Sequence, residues 1–444
     1  MNRIDRRRED AVEVRPLAAP FHAVVDVPGS KSMTNRALIL AALADGASTV
    51  ENALTSDDTD RMLAALRALG FEVDADPAAA VVRVVGRGGL IPAAKASLDV
   101  GASGTSARFL TALCALGGGE YELDGTPRMR ERPIEPLLGA LRQLGAQAAS
   151  LRGSGCLPAR VRGPLAGGDA RIEASVSSQF ISALLMVAPY AAAGLRLHLE
   201  GTVISRPYID MTLQQMHRAG VDAAWADERT LVVPAGRRYR AGTQVMESDA
   251  SNASYFFAAA AATGGWVRVP RLPADSIQGD LALLDVLAAM GCQVRRGVDA
   301  VEVVGPPDGK LRAISVDANG FPDMAQTIAA LAPFADGPVE VRNVASMRVK
   351  ETDRIDAVAA ELRRLGQDVE TGPDWFRVTP RPLRPAALRT YDDHRMAMSF
   401  AVVGLRVPGV RLLDPGCVAK TFPTYWDTLA KAGVEIEYLE PARS

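Results

Sequence analysis

The chain has 444 residues, a formal net charge of −2, and 48% hydrophobic and 23% charged residues. This is ordinary globular composition, long enough for two or more domains. The near-neutral charge and 5% aromatic content speak against nucleic acid as a partner, and no run reaches the length of a membrane-spanning helix. The opening "MNRIDRRRED" lacks the apolar core of a signal peptide. Cys114, Cys156, Cys292 and Cys417 are scattered, histidines number four, and neither C-x-x-C nor H-E-x-x-H spacing occurs. The expectation is a soluble cytoplasmic protein with no metal site, disulfide framework or cofactor, and residues 1–12 as a mobile head.

The first element is a short strand ending at Pro28-Gly29, followed by "SKSMTNRALIL", where an apolar helix begins. Ser32 or Thr34 suits an N-cap. Lys31 and Arg36, however, oppose the helix dipole at that end. Free N–H groups, hydroxyls and fixed positive charge together also describe an anion site. The stretch alone leaves both readings open, and it is not a P-loop, since Gly29 precedes Ser30 rather than Lys.

A helix ending in glycine and followed by a strand recurs six times: "LAALRALGFEVDA", "GALRQLGAQAAS", "LQQMHRAGVDAAW", "DVLAAMGCQVRR", "AAELRRLGQDVET" and "DTLAKAGVEIEYL". The glycines are Gly70, Gly145, Gly220, Gly291, Gly366 and Gly433, separated by 75, 75, 71, 75 and 67 residues. Each falls where a helix terminates in a left-handed residue. Upstream of each lies a second helix without a polar face, expected to be buried: "NRALILAALA", "SARFLTALCAL", "QFISALLMVAPY", "ASYFFAAAAA", "AQTIAALAPFA" and "RMAMSFAVVGL". The β-rich stretches "VVRVVG", "ARVRG", "TLVVPAG", "VEVVG" and "FRVTP" follow in five repeats. The sixth lacks one, while "VEVRPLAAP" stands unmatched near the N-terminus. The N-terminal strand is therefore expected to complete the sixth repeat. That places three repeats in a domain of residues 30–245, inserted into a discontinuous domain of residues 1–29 and 246–444, with two crossing strands as a hinge.

Polar residues gather where the buried helices begin: Lys31, Ser32 and Arg36; Gly104 and Thr105; Ser177, Ser178 and Gln179; Asp249, Ser251 and Asn252; Asp323; and Asp393, His394 and Arg395. The second helices are expected to start thirteen residues before their glycines, at Asp57, Arg132, Pro207, Gln278, Asp353 and Lys420, with Ser205, Tyr208, Lys350 and Arg354 nearby. Each residue has a plainer reading as a cap or a solvated side chain, and Asp323 as a cap is the hardest to set aside. The recurrence at one structural address favours a single cleft. Seven cations (Lys31, Arg36, Arg132, Lys350, Arg354, Arg395, Lys420) crowded there would repel one another without a multiply anionic guest.

"PGSKSMTNRALIL", "SGTSAR", "PRMRERPI", "SVSSQFISALLM", "SRPYIDMT", "RVKETDR", "DDHRMAM" and "AKTFP" resemble the signature blocks of the 5-enolpyruvylshikimate-3-phosphate synthase family, from about residue 20 to about residue 430. The resemblance implies an α/β fold of two inside-out α/β barrels, six βαβαββ repeats in all, closing over the substrates. It implies transfer of the enolpyruvyl group of phosphoenolpyruvate to the 5-hydroxyl of shikimate 3-phosphate through a tetrahedral intermediate, with release of phosphate, in aromatic amino acid biosynthesis. By the same resemblance, shikimate 3-phosphate is bound by Lys31, Ser32, Arg36, Ser177, Ser178, Gln179, Ser205, Tyr208, Asp323, Ser346 and Lys350. Phosphoenolpyruvate is bound by Lys31, Gly104, Thr105, Arg132, Gln179, Glu351, Arg354, His394, Arg395 and Lys420. The resemblance casts Asp323 as the proton acceptor and Glu351 and Lys31 as candidates for moving the proton at C3, and a monomer is expected. Ala102, Phe109 and Ser346 depart from residues common in the family, respectively Asn, Pro and Asn. The first two bear on the phosphoenolpyruvate loop and on the response to the herbicide glyphosate. A relative built on the same architecture, UDP-N-acetylglucosamine enolpyruvyl transferase, uses a loop cysteine. Here "GTPRMRERP" has none, and Cys114 falls in an apolar run. An inactive binder of phosphorylated metabolites is the other alternative, and retention of Asp323, Glu351 and Lys31 together speaks against it.

Overall fold

Residues 11–439 are described in the computed structural model. Among them are twelve α-helices, forming six pairs: α1 (Lys31–Leu43) with α2 (Asp57–Ala68), α3 (Gly104–Cys114) with α4 (Glu135–Gln143), α5 (Ser178–Val187) with α6 (Arg206–Arg218), α7 (Ala250–Thr263) with α8 (Leu283–Ala289), α9 (Ala325–Leu331) with α10 (Arg354–Arg364), and α11 (His394–Gly404) with α12 (Tyr425–Lys431). The odd-numbered helices are buried around their circumference: every residue of α3, α9 and α11 lies inside. The even-numbered helices are amphipathic, with charge on the outer face, as in α10.

The six repeat glycines explain how each pair hands over to its sheet. Gly70, Gly145, Gly220, Gly291, Gly366 and Gly433 have φ of 88°, 92°, 92°, 106°, 90° and 91°. The amide after each reaches back to the last full helical turn: Phe71 to Leu66, Ala146 to Leu141, Val221 to Met216, Cys292 to Leu287, Gln367 to Leu362 and Val434 to Leu429. This is one Schellman-type stop repeated six times, and only glycine adopts its left-handed backbone without a steric cost.

Each repeat contributes a four-stranded sheet of one parallel and two antiparallel pairings. In the second repeat Lys95–Asp99 runs parallel to Glu120–Asp124, which pairs with Ala159–Arg162 and so with Gln147–Ser150. Three sheets borrow a strand from elsewhere in the sequence. His22–Val24, just ahead of α1, joins Trp266–Pro270 in the sheet that follows α7. Thr243–Val245, just ahead of α7, joins Asp45–Glu51. The sixth sheet is completed as expected: Ala11–Val14 lies between Arg411–Leu413 and Ile436–Leu439, antiparallel to both. Ala11 and Val12 are therefore strand, not a mobile head, because burial of Val12 and two ladders fix them. Residues 1–10 of that expected head lie outside the described residues.

The chain divides into two compact units. One runs from Gly29 to Met246, and the other joins the chain up to Pro28 to the chain from Glu247 onward. In the second unit α7, α9 and α11 pack together as the core, with sheets outside them. Ser254, Thr327 and Ser399, one from each helix, satisfy their buried hydroxyls mutually, at 3.1 Å and 3.3 Å. No helix among the described residues is long and apolar enough to cross a membrane.

Candidate active site

In the Gly29–Met246 unit the turn before α1 is capped by a residue other than the two expected. Neither Ser32 nor Thr34 caps the helix; Ser30 does, accepting from the Met33 amide. Ser32 is left in the first turn, and Thr34 turns inward to the Leu54 amide. Lys31 pairs with Asp58, near the start of α2, at 3.1 Å. Arg36 is buried and donates four of its five N–H groups to the protein: to Thr212 Oγ1 at 2.7 Å, Ser32 O at 2.9 Å, Ser182 Oγ at 3.1 Å and Tyr208 O at 3.1 Å. Burial pushes its pKa down to about 10. Its guanidinium lies 5.2 Å from the centre of the Phe109 ring, a cation–π contact between α1 and α3. Arg36 therefore ties Ser32 and Tyr208 into one frame.

The starts of α3 and α5 adjoin in this unit. Gln179 Nε2 donates to Thr105 Oγ1 at 3.3 Å. Ser177 is the N-cap of α5, accepting from the Gln179 amide, and Ser178 is buried beside it. Gly104 opens α3 directly against the Arg132 guanidinium, while Arg108 holds the Arg132 segment through Pro133 O at 2.9 Å. Arg132 was expected to start a helix. It instead follows a 3₁₀ turn, Met129–Glu131, in extended backbone (φ −81°, ψ 128°), the conformation favoured for a residue that precedes proline, and α4 begins three residues later. Ser205 precedes α6 in the left-handed conformation, φ 51°, and makes no capping bond. Cys114 is fully buried, and burial pushes its thiol pKa up, so it is no nucleophile.

In the other unit the centre is Asp323. It does not cap α9. It sits in the 3₁₀ turn Pro322–Met324 and meets three cations: Arg395 at 2.9 Å, Arg354 at 3.0 Å and Lys350 at 3.5 Å. Burial opposes its ionisation, but Arg395, Lys350 and Arg354 outweigh burial and the adjacent Glu351, holding the carboxyl well below the usual range. Arg354, fully buried at the start of α10, also binds Asp393 at 2.7 Å and Glu351 at 2.8 Å. Desolvation would favour its neutral form, yet Asp393, Glu351 and Asp323 raise its pKa. Asp393 caps α11 through the Arg395 amide at 2.9 Å and also binds Arg354. Arg395 reaches Ser251 at 3.2 Å as well as Asp323, and so joins the starts of α7, α9 and α11. His394, the first residue of α11, is buried with Nδ1 3.6 Å from Asp393. Ser346 is buried in the 3₁₀ turn Ala345–Val349, which leads to Lys350. Lys420 ends another 3₁₀ turn, Pro415–Lys420, rather than starting a helix, and stands 3.9 Å from Glu351.

Counting cations alone overstated the crowding. Asp323, Glu351 and Asp393 interleave with Lys350, Arg354, Arg395 and Lys420, and Asp58 offsets Lys31. Asp58, Thr212 and Ser182 are not among the residues that the sequence gathers, whereas Ser251 is. The repeat offers a signal for Asp58, which lies at a helix start, the address at which the other site residues gather.

A sequence model of the EPSP synthase family, 3-phosphoshikimate 1-carboxyvinyltransferase, matches residues 18–429. The 3-phosphoshikimate 1-carboxyvinyltransferase of Trichormus variabilis is 50% identical over 95% of this chain and 99% of its own length. That of Thiobacillus denitrificans is 49% identical over 92% and 96%. The solved structure of EPSP synthase from Acinetobacter baumannii superposes with a TM-score of 0.80 at 24% identity, covering 97% of this chain and all of that one, and shows the same fold. With its matching sequence blocks and its Asp323–Arg354–Arg395 centre, the chain belongs to the EPSP synthase family.

Proposed function

We propose that this protein transfers the enolpyruvyl group of phosphoenolpyruvate to the 5-hydroxyl of shikimate 3-phosphate, as a monomeric cytoplasmic enzyme needing neither metal nor cofactor. The observation that carries the mechanism is Asp323, a carboxylate within 3.5 Å of three cations. It accepts the proton as the 5-oxygen adds to C2 of phosphoenolpyruvate, while Glu351 or Lys31 delivers a proton to C3. Loss of phosphate from C2 and of a proton from C3 then restores the double bond and gives the enol ether.

Shikimate 3-phosphate is assigned to Lys31, Ser32, Arg36, Ser177, Ser178, Gln179, Ser205, Tyr208, Asp323, Ser346 and Lys350. Arg36 acts mainly by holding Ser32 and Tyr208, given how many of its donors the protein already uses. Phosphoenolpyruvate is assigned to Lys31, Gly104, Thr105, Arg132, Gln179, Glu351, Arg354, His394, Arg395 and Lys420. Arginine suits planar, two-pronged binding of a carboxylate or phosphate. Lys350, Arg354 and Arg395 favour the ionised form of Asp323, the form that can accept a proton. Anionic substrates that take up part of the charge on Lys350, Arg354 and Arg395 raise its proton affinity as they bind, so substrate binding and base activation are coupled.

A phosphate-release assay tests this. Phosphate should appear only when both shikimate 3-phosphate and phosphoenolpyruvate are present. Tight binding of both without release would leave a binding protein.

A further inference from the structure

We infer that Glu361, far along α10 from the reacting groups, is a positioning residue for phosphoenolpyruvate. It is fully buried. Its Oε2 accepts the Arg389 amide at 3.0 Å, and its Oε1 accepts the Tyr391 hydroxyl at 2.6 Å. Burial first, and then this hydrogen bond, push the Tyr391 pKa up to about 12, so the hydroxyl stays a donor at neutral pH.

What Glu361 grips is unusual backbone. Tyr391 and Asp392 are consecutive non-glycine residues in the left-handed region, at φ 58° and 53°. Such a pair persists only where its surroundings over-determine it. Thr390 between the two gripped residues is pinned as well, with Oγ1 donating to Leu413 O at 2.9 Å, and the Asp393 amide closes the turn on Thr390 O at 2.9 Å. The turn delivers Asp393 and Arg395 to the Asp323 cluster. Arg354 and Glu361 are seven residues apart, which places both on one face of α10. The helix thus clamps the segment twice: Arg354 on Asp393, and Glu361 two turns later on Arg389 and Tyr391. Glu361 also pairs with Arg364, a half-exposed neighbour on the same helix, at 3.3 Å, but neither the caps nor the cluster itself requires a buried carboxylate at 361. Fixing where Arg395 stands gives it a purpose.

This inference rests on the assignment of Arg354 and Arg395 to phosphoenolpyruvate. The test is steady-state phosphate release by Glu361→Gln and by Tyr391→Phe, varying each substrate in turn, with amide hydrogen exchange over residues 390–395 measured in parallel. Glu361→Gln should raise the KM for phosphoenolpyruvate about tenfold while leaving that for shikimate 3-phosphate within about twofold, the sensitivity expected of a misplaced binding group. Tyr391→Phe, which leaves Glu361 with its backbone partner, should move the same constant less. Both should speed exchange of the Asp393 amide. An unchanged phosphoenolpyruvate KM, or an equal rise in both constants, overturns the inference, and Tyr391→Phe alone decides if Glu361→Gln does not fold. A wild-type protein that releases no phosphate removes the function reading instead, and exchange at Asp393 then still decides the clamp: faster in the variants supports it, unchanged overturns it.

Discussion

Arg132 occupies the space that a side chain at Gly104 would need. A Cβ there would lie 2.8 Å from Nη2 and 3.0 Å from Nη1 of the guanidinium. Gly104 does not have a positive φ, so glycine serves here for room rather than for conformation. Gly104→Ala should therefore fold, because the clash falls on the mobile end of a side chain. The guanidinium must shift, and the KM for phosphoenolpyruvate should rise about tenfold, with the shikimate 3-phosphate KM little changed. Steady-state kinetics with each substrate varied checks this, and an effect confined to shikimate 3-phosphate would refute the assignment of Arg132.

Asp323→Asn keeps the shape of the side chain and removes the base. Loss of a positioned general base costs about 10² to 10⁴ in rate. Turnover should fall by that range while calorimetry still detects shikimate 3-phosphate, whose other assigned contacts remain. Turnover within a few-fold of wild type would remove Asp323 as the proton acceptor.

The same substitution has a signature in stability against pH. The folded-state pKa of Asp323 is depressed, so its contribution is present above the unfolded carboxylate pKa of about 3.9 and lost as pH falls below it. Wild type should exceed Asp323→Asn most at pH 7, where the variant leaves Lys350, Arg354 and Arg395 short of a partner. The gap should narrow between pH 5 and pH 2 on the scale of these pKa values. Urea midpoints at pH 7, 5 and 3 measure it, and a gap that widens with acid would contradict the ion-pair account.

The parts of the fold that were legible are those fixed by local chemistry. A left-handed stop demands glycine, so Gly70 through Gly433 marked the helix ends without any knowledge of contacts. A helix without a polar face must be buried, so α3 and α11 could be placed inside. The strand at Ala11–Val14 followed from the sixth repeat lacking one. The misplacements concern where helices begin. Arg132 follows a 3₁₀ turn, held extended ahead of Pro133, and Lys420 ends another. What stayed hidden was pairing across long stretches of sequence. Arg36 finds Thr212, 176 residues away, and Arg354 finds Asp393, 39 residues away. Nothing local to either arginine names its partner. The carboxylates that temper the cationic cluster were visible in the sequence one by one, but their interleaving depends on three helix starts meeting.

Three glycines separate conformational strain from crowding. Gly433 has φ 91° with nothing within 4 Å of a built Cβ, so alanine there meets only the left-handed penalty, about 1–2 kcal/mol. Gly70, at φ 88°, adds a contact of 2.9 Å with Pro92 Cβ. Its alanine variant should be the less stable of the two, because a proline ring does not swing aside. Gly118 is also open within 4 Å but does not have a positive φ, so its replacement should be neutral or stabilising by about 0.4–1 kcal/mol through the unfolded chain. Urea unfolding of the three single variants should rank them Gly118→Ala, Gly433→Ala, Gly70→Ala in falling midpoint. If Gly433→Ala matched Gly118→Ala, the repeated left-handed stop would not be what forces glycine at these six positions.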